Sequence, residues 1–233
     1  KLNKKDEVYS ISVPKYREQI NFKFTKGNWE SVECQLDGNP IENRTYNFDG
    51  KDETVNVEIV NWKTEEMTES PSTASKNVSI FEDNFLMPQL DRQRTIRVYL
   101  PPNYHNSEDN YPVLYMHDGQ NVFDKKTSYS GEWQVDETLD KLYEEKGFSI
   151  IVVAIDNAGE KRLNEYSPWN HQKFGKGQGM DYAKFIVNTL KPKIDEPYRT
   201  KTDKNNTAIM GSSMGGLISH YTALQYSDVF GKA

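Results

Sequence analysis

Residues 209–220 read "IMGSSMGGLISH". Gly211, Ser213 and Gly215 fit the spacing Gly-any-Ser-any-Gly. The motif closes an apolar run, "TAIMG", and opens a helix-like one, "LISHYTALQYS". A serine on a tight strand-to-helix turn needs small neighbours, and Ser212, Gly215 and Gly216 supply them. The N–H groups and positive dipole end of the helix would face negative charge developing beside the serine. This is the layout of a nucleophile elbow. The alternative is an ordinary glycine-rich turn with a structural serine.

Working outward, strand and helix patterns alternate. "RTIRVYL" (94–100), "VLYM" (113–116), "SIIVVAI" (149–155) and "NTAIMG" (206–211) read as strands, the third as a central one buried on both faces. "VDETLDKLYEEKG" (135–147) carries Val135, Leu139 and Leu142 at helical spacing, with Gly147 as a stop. "DYAKFIVNTL" (181–190) predicts a second helix with Pro192 near its end or at a kink, and "GGLISHYTALQYS" (215–227) a third. The order implies a mostly parallel α/β sheet.

Residues 1–63 follow another rhythm. "INFKF" (20–24), "SVECQL" (31–36) and "TVNVEIV" (54–60) alternate apolar with polar residues between turn signals, so they predict antiparallel strands and an all-β module. Residues 64–77, "TEEMTESPSTASKN", lose all periodicity and read as a polar linker. The expected division is a β module over 1–63, the linker over 64–77 and an α/β domain over 78–233.

Composition narrows the function. A net charge of −6 and a pI near 5.4 argue against nucleic acid as a partner. No apolar run reaches the ~20 residues of a membrane span. The single cysteine, Cys34, excludes an intrachain disulfide and a cysteine-based metal site. An oxyanion hole needs a second N–H from the loop after an earlier strand. "VLYMHDGQNVF" offers one at His117-Asp118-Gly119-Gln120, although His117 and Asp118 also read as a polar turn or a metal pair.

Six blocks then carry a resemblance: "RTIRVYLPPNY", "YPVLYMHDGQNVFD", "GEWQVDETLDKL", "IIVVAIDNAGEKRLNEYSPW", "FIVNTLKPKIDEPYRT" and "GSSMGGLISHYTALQYSDVFGKA". In order and spacing they resemble the α/β-hydrolase family of esterase D, the enterochelin esterases, and the feruloyl and acetyl-xylan esterases, over about residues 80–233. The resemblance implies Ser213 as nucleophile, the Met214 N–H as one oxyanion donor, and Gly119 or Gln120 as the other. It places His117 and Asp118 at the oxyanion loop, and makes Arg162, Glu165 and Tyr166 structural or pocket-lining. It implies no metal and no cofactor.

The expected triad order is Ser, acid, His. His105, His117 and His171 precede Ser213, and His220 lies seven residues into the helix, ~10 Å along its axis. Asp228 has no partner histidine nearby. The expectation is a chain cut from a longer protein, with acid and base beyond residue 233; the first residue, Lys1, points the same way.

"INFKFTKGNWE", "NPIENRTYNF" and "VEIVNWKTE" resemble the second half of a starch-binding domain, the family 20 carbohydrate-binding module. The resemblance implies glycan contact by Trp29 with Glu30, by Asn43, and by Trp62 with Lys63. An exposed indole matches the flat C–H face of a sugar ring; the alternative is a core tryptophan. The resulting expectation is a periplasmic or secreted serine carboxylesterase acting on acyl or aryl esters of carbohydrate. The alternatives are a catalytically inactive carbohydrate-binding protein and an enterochelin-type siderophore esterase.

Overall fold

The computed structural model describes residues 3–5, 8–10, 19–36, 38–48, 55–64, 71–129, 131–172 and 175–233, without the side chains of Glu30 and residues 3–5 and 8–10. They fall into two compact units, Lys1–Ser70 and Pro71–Ala233.

Among its described residues the first unit holds six short strands: β1 (Asn3–Lys5), β2 (Val8–Ser10), β3 (Gln19–Phe22), β4 (Glu33–Cys34), β5 (Arg44–Asn47) and β6 (Asn61–Trp62). They pair antiparallel as β1–β2, β3–β5 and β4–β6. Glu33 organises the unit from a buried position. Its carboxylate accepts the Phe24 N–H at 2.9 Å and pairs with the Arg44 guanidinium at 2.8 Å.

Two expected strands are corrected here. Ser31 belongs to a 3₁₀ turn, Trp29–Ser31, which leaves only Glu33–Cys34 of "SVECQL" in a ladder. Residues 55–60 form no strand. Val57 and Ile59 are more buried than Asn56 and Glu58, so the alternation is present. However, Arg44 Nη2 takes the Glu58 carbonyl at 2.8 Å, a bond that a neighbouring strand would make. Alternation sorts side chains between faces; a strand also needs a backbone partner.

The second unit is built on a mixed sheet of β7 (Val78–Met87), β8 (Arg92–Tyr99), β9 (Val113–His117), β10 (Ile151–Ile155) and β11 (Thr207–Met210), in the order β11-β9-β10-β8-β7. β11, β9 and β10 run parallel; β8 is antiparallel to β10, and β7, antiparallel to β8, runs in the same direction as the other three. Strand β7 escapes the sequence pattern because register shifts at Ile80/Glu82 and Glu82/Phe85 break its alternation.

Helices cover both faces: α1 (Val135–Lys146), α2 (Arg162–Glu165), α3 (Gly179–Phe185), α4 (Lys191–Asp195) and α5 (Met214–Gln225). Ile151, Val153 and Ile155 of β10 pack into one core with Tyr182, Phe185, Ile186, Leu190 and Ile218. Val152 and Ala154 pack into the other with Leu139, Met116 and Phe123. A strand buried on both faces requires the continuous apolar run seen here. Between α3 and α4 the backbone makes a π-helical turn, Ile186–Leu190. Pro192 can donate no N–H, and this wider turn just before it lets the helix continue to Asp195.

Residues 71–77, part of the expected linker, are hydrogen-bonded within the second unit. Ser72 Oγ donates to Asp124 at 2.7 Å, the Ser75 N–H to Asp136 at 2.7 Å, and Asn77 Nδ2 to Asp140 at 2.8 Å. Residues 65–70 lie outside the described residues.

One buried acid ties the hairpin to the segment after β10. Glu165 is wholly buried, paired with Arg92 at 2.5 Å and Arg94 at 2.8 Å. Removing one member of a buried ion network strands the others. Glu165→Ala is therefore expected to destabilise the protein by about 3 kcal/mol, read as a fall in the urea midpoint.

Candidate active site

The turn between β11 and α5 is built from Gly211, Ser212 and Ser213. Ser213 has φ 55° and ψ −119°, a backbone region that non-glycine residues seldom occupy. Holding a residue there costs on the order of 1–3 kcal/mol, which the surroundings must offset. Those surroundings leave no room for a side chain at Gly211, where a Cβ would sit 2.5 Å from the Gly215 carbonyl carbon. The Ser213 side chain is exposed and makes no capping hydrogen bond. Met214 is the first residue of α5, so its N–H has no intrahelical acceptor.

The loop after β9 lies against this turn. A Cβ on Gly215 would be 3.3 Å from Asp118 Oδ2 and 3.4 Å from His117 Cβ. Asp118 occupies the left-handed region, at φ 58° and ψ 45°. Its polar groups are engaged on all sides. The carboxylate accepts Arg162 Nε at 2.6 Å, Arg162 Nη2 at 2.8 Å and Asn157 Nδ2 at 2.7 Å. Its N–H donates to the Tyr166 hydroxyl at 3.2 Å, and its carbonyl accepts the Asn121 N–H at 2.8 Å. The Arg162 guanidinium also stacks 5.0 Å from the Tyr166 ring centroid.

Gly119 follows in the 3₁₀ turn Gly119–Asn121, pressed on β10: a Cβ there would meet the Ile155 carbonyl carbon at 2.7 Å. Gln120 fixes the far side, its Oε1 accepting the Asn157 N–H at 3.0 Å. The structure thus brings together His117, Asp118, Gly119, Gln120, Arg162 and Tyr166 with the Ser213–Met214 turn. Glu165 faces Arg92 and Arg94 instead. Sequence reasoning missed Asn157 and Tyr182. Asn157 lies two residues past the strand that ends at Ile155, and nothing in the helix pattern marks Tyr182 as more than a core aromatic.

His117 is buried between Tyr166 and Tyr182, with Nδ1 3.0 Å from the Tyr182 hydroxyl and no hydrogen-bond partner for Nε2. Burial lowers its pKa to about 4; the Arg162 charge adds to this and Asp118 opposes it. His117 is therefore a neutral packed ring. His105, His171 and His220 are exposed, and among the described hydrogen bonds none joins the Ser213 hydroxyl to a histidine.

In the first unit, Trp29 is 63% exposed and Asn43 is exposed. Trp62 is half-buried, pairs with Glu33 across the ladder, and carries Lys26 Nζ 5.2 Å above its ring. Lys63 donates its N–H to the Val32 carbonyl at 2.9 Å, and the Glu30 side chain lies outside the described set.

The neutrality of His117 has a consequence for stability. Its folded pKa, about 4, lies below the ordinary 6.5, so the unfolded chain binds the extra proton between these values. The stabilisation is complete above pH 6.5 and is lost as pH falls toward 4, by up to about 3 kcal/mol. In urea unfolding from pH 7 to 4.5, His117→Gln is expected to remove this part of the pH dependence.

Residues 88–233 match the family model described as "Putative esterase". The chain is 29% identical over 147 residues to "Uncharacterized protein YbbA" of Bacillus subtilis (strain 168), covering 60% of this chain and 54% of that protein. It is 28% identical over 160 residues to the "Endo-1,4-beta-xylanase/feruloyl esterase" of Xylanibacter ruminicola, covering 66% of this chain and 20% of that protein. An IroE-like serine hydrolase from Shewanella oneidensis shares the fold, with TM-score 0.50 and 23% identity over 66% of this chain and 47% of that one. The chain thus spans about half the length of YbbA and of the Shewanella hydrolase. The family match covers more than half of the sequence, and the chain belongs to this esterase family.

Proposed function

We propose that the protein is a serine carboxylesterase acting on acyl or aryl esters attached to carbohydrate. The observation that carries the reading is the strained, exposed Ser213 at the start of a helix whose Gly215 rests against Asp118 of the clamped loop. Ser213 Oγ attacks the ester carbonyl carbon and gives its proton to a histidine. The N–H groups of Met214 and of Gly119 or Gln120 hold the resulting oxyanion. The tetrahedral intermediate collapses, the alcohol leaves with the histidine's proton, and an acyl-serine remains. Water, deprotonated by the same histidine, releases the acid and restores Ser213. We place that histidine and its acid outside these 233 residues, because none of His105, His117, His171 and His220 bonds the Ser213 hydroxyl. The charge of Arg162 is committed to Asp118, which gives the siderophore alternative no support from this side chain.

The carbohydrate part of the reading rests on the first unit, taken as part of a β-sandwich glycan module. Trp29 presents an open indole face, and Asn43 and Lys63 offer polar groups for hydroxyls. An esterase of this kind works where polysaccharide is found, in the periplasm or outside the cell.

In the full-length protein, Ser213→Ala is expected to lower kcat on nitrophenyl acetate and on feruloylated or acetylated xylo-oligosaccharides by at least ~10³-fold, with Tm almost unchanged. Retention of most of the turnover would remove Ser213 from the chemistry. For the glycan site, Trp29→Ala is expected to elute earlier from an α-glucan column while hydrolysing nitrophenyl acetate at the original rate. Equal retention of both proteins would return Trp29 to a structural role.

A further inference from the structure

Helix α1 begins among acids that the ester chemistry does not use. Glu132, Asp136 and Glu137 each offer a carboxylate oxygen, and these oxygens lie within 4.8 Å of one another. Acids in the first turn of a helix are ordinary, because the helix dipole favours them. That accounts for Glu137, which is exposed. It does not account for Asp136, which is wholly buried. Asp136 Oδ2 accepts the Ser75 N–H at 2.7 Å, and Oδ1 has no hydrogen-bond partner. Among the described residues none of the three acids forms a salt bridge. A buried carboxylate oxygen with no donor is unfavourable, and neighbouring like charges make it more so.

A cation seated among the three would relieve both penalties. The donors are all hard oxygens, with no histidine or cysteine in the group. Ca²⁺ accepts carboxylate oxygens in flexible geometry, whereas Mg²⁺ demands a near-ideal octahedron and keeps several of its waters, so a cluster of three acids suits Ca²⁺. A neutral oxygen is also at hand, since Thr73 Oγ1 donates to Glu132 Oε1 at 2.8 Å. Glu132 and Asp136 thus each accept a hydrogen bond from the segment 72–77, through Thr73 and Ser75. We propose that Glu132, Asp136 and Glu137 form a calcium site that clasps residues 72–77 to the start of α1. The proposal is independent of the ester reading.

The test uses the whole protein after treatment with a chelator. Tb³⁺ is added as a calcium probe, with luminescence excited through the indoles; Trp133 adjoins Glu132 in sequence. The expected result is sensitised Tb³⁺ emission that Ca²⁺ displaces. Ca²⁺ is also expected to raise Tm by roughly 5–10 °C at ~100-fold excess over Kd, compared with NaCl at equal ionic strength. Asp136→Asn and Glu132→Gln should each weaken Ca²⁺ binding by ~10-fold or more. Glu132 is only partly buried, so Glu132→Gln decides the matter if Asp136→Asn does not fold. Equal Tm in CaCl₂ and NaCl, or undiminished Ca²⁺ affinity in Glu132→Gln, would overturn the site. So would Asp136→Asn raising Tm without any added cation, because a proton shared between Asp136 and Glu137 would then suffice.

Discussion

The carboxylate of Asp118 is the point on which the site's geometry depends. It stands in a left-handed backbone conformation at the end of β9, and an Arg162 fork and an Asn157 amide hold it there. Each partner belongs to the segment after β10, so one carboxylate couples the ends of two neighbouring strands. The turn that carries Ser213 rests against the same carboxylate, across the face of Gly215. The N–H groups of Gly119 and Gln120 therefore have a position set by charge and hydrogen bonding, on a loop that would otherwise have many conformations. A charge-assisted, bidentate pair of this type is both strong and directional.

Beneath that layer, the buried ionisable groups are either paired or neutral. Glu165 is buried, and two guanidinium groups meet it. His117 is buried without a counter-ion for its ring, and it gives up its proton. The phenols of Tyr166 and Tyr182, buried on either side of it, are held well above their usual ionisation range by the same desolvation. The His117, Tyr166 and Tyr182 rings are thus neutral, next to the ionised Asp118–Arg162 pair.

The acids at the start of α1 follow another logic. Asp124, Asp136 and Asp140 receive hydroxyl, amide and backbone donors from residues 72–77, which ties a Ser/Thr-rich stretch to the rest of the second unit. The remaining unpartnered oxygen of Asp136 is where this arrangement calls for a cation.

Much of the second unit was legible in the sequence. Continuous apolar runs marked β9, β10 and β11, because a strand covered on both faces has no polar side to show. Small residues around Ser213 marked the elbow, because only they permit the close approach of Gly211 to Gly215. Strand β7 was not legible, because two register shifts interrupt its alternation, and neither was the loss of pairing at residues 55–60, where a distant guanidinium takes the carbonyl. The linker-like composition of 71–77 concealed a set of hydrogen bonds to acids some fifty to sixty residues away. By itself, the sequence determined the α/β architecture and the turn that carries Ser213, since both rest on local sterics and periodicity. Only the tertiary structure decided that Arg162 clamps Asp118, that Glu165 serves the hairpin, and that His117 is a neutral packed ring. Those roles depend on which charges meet in space, and spacing along the chain does not carry that information.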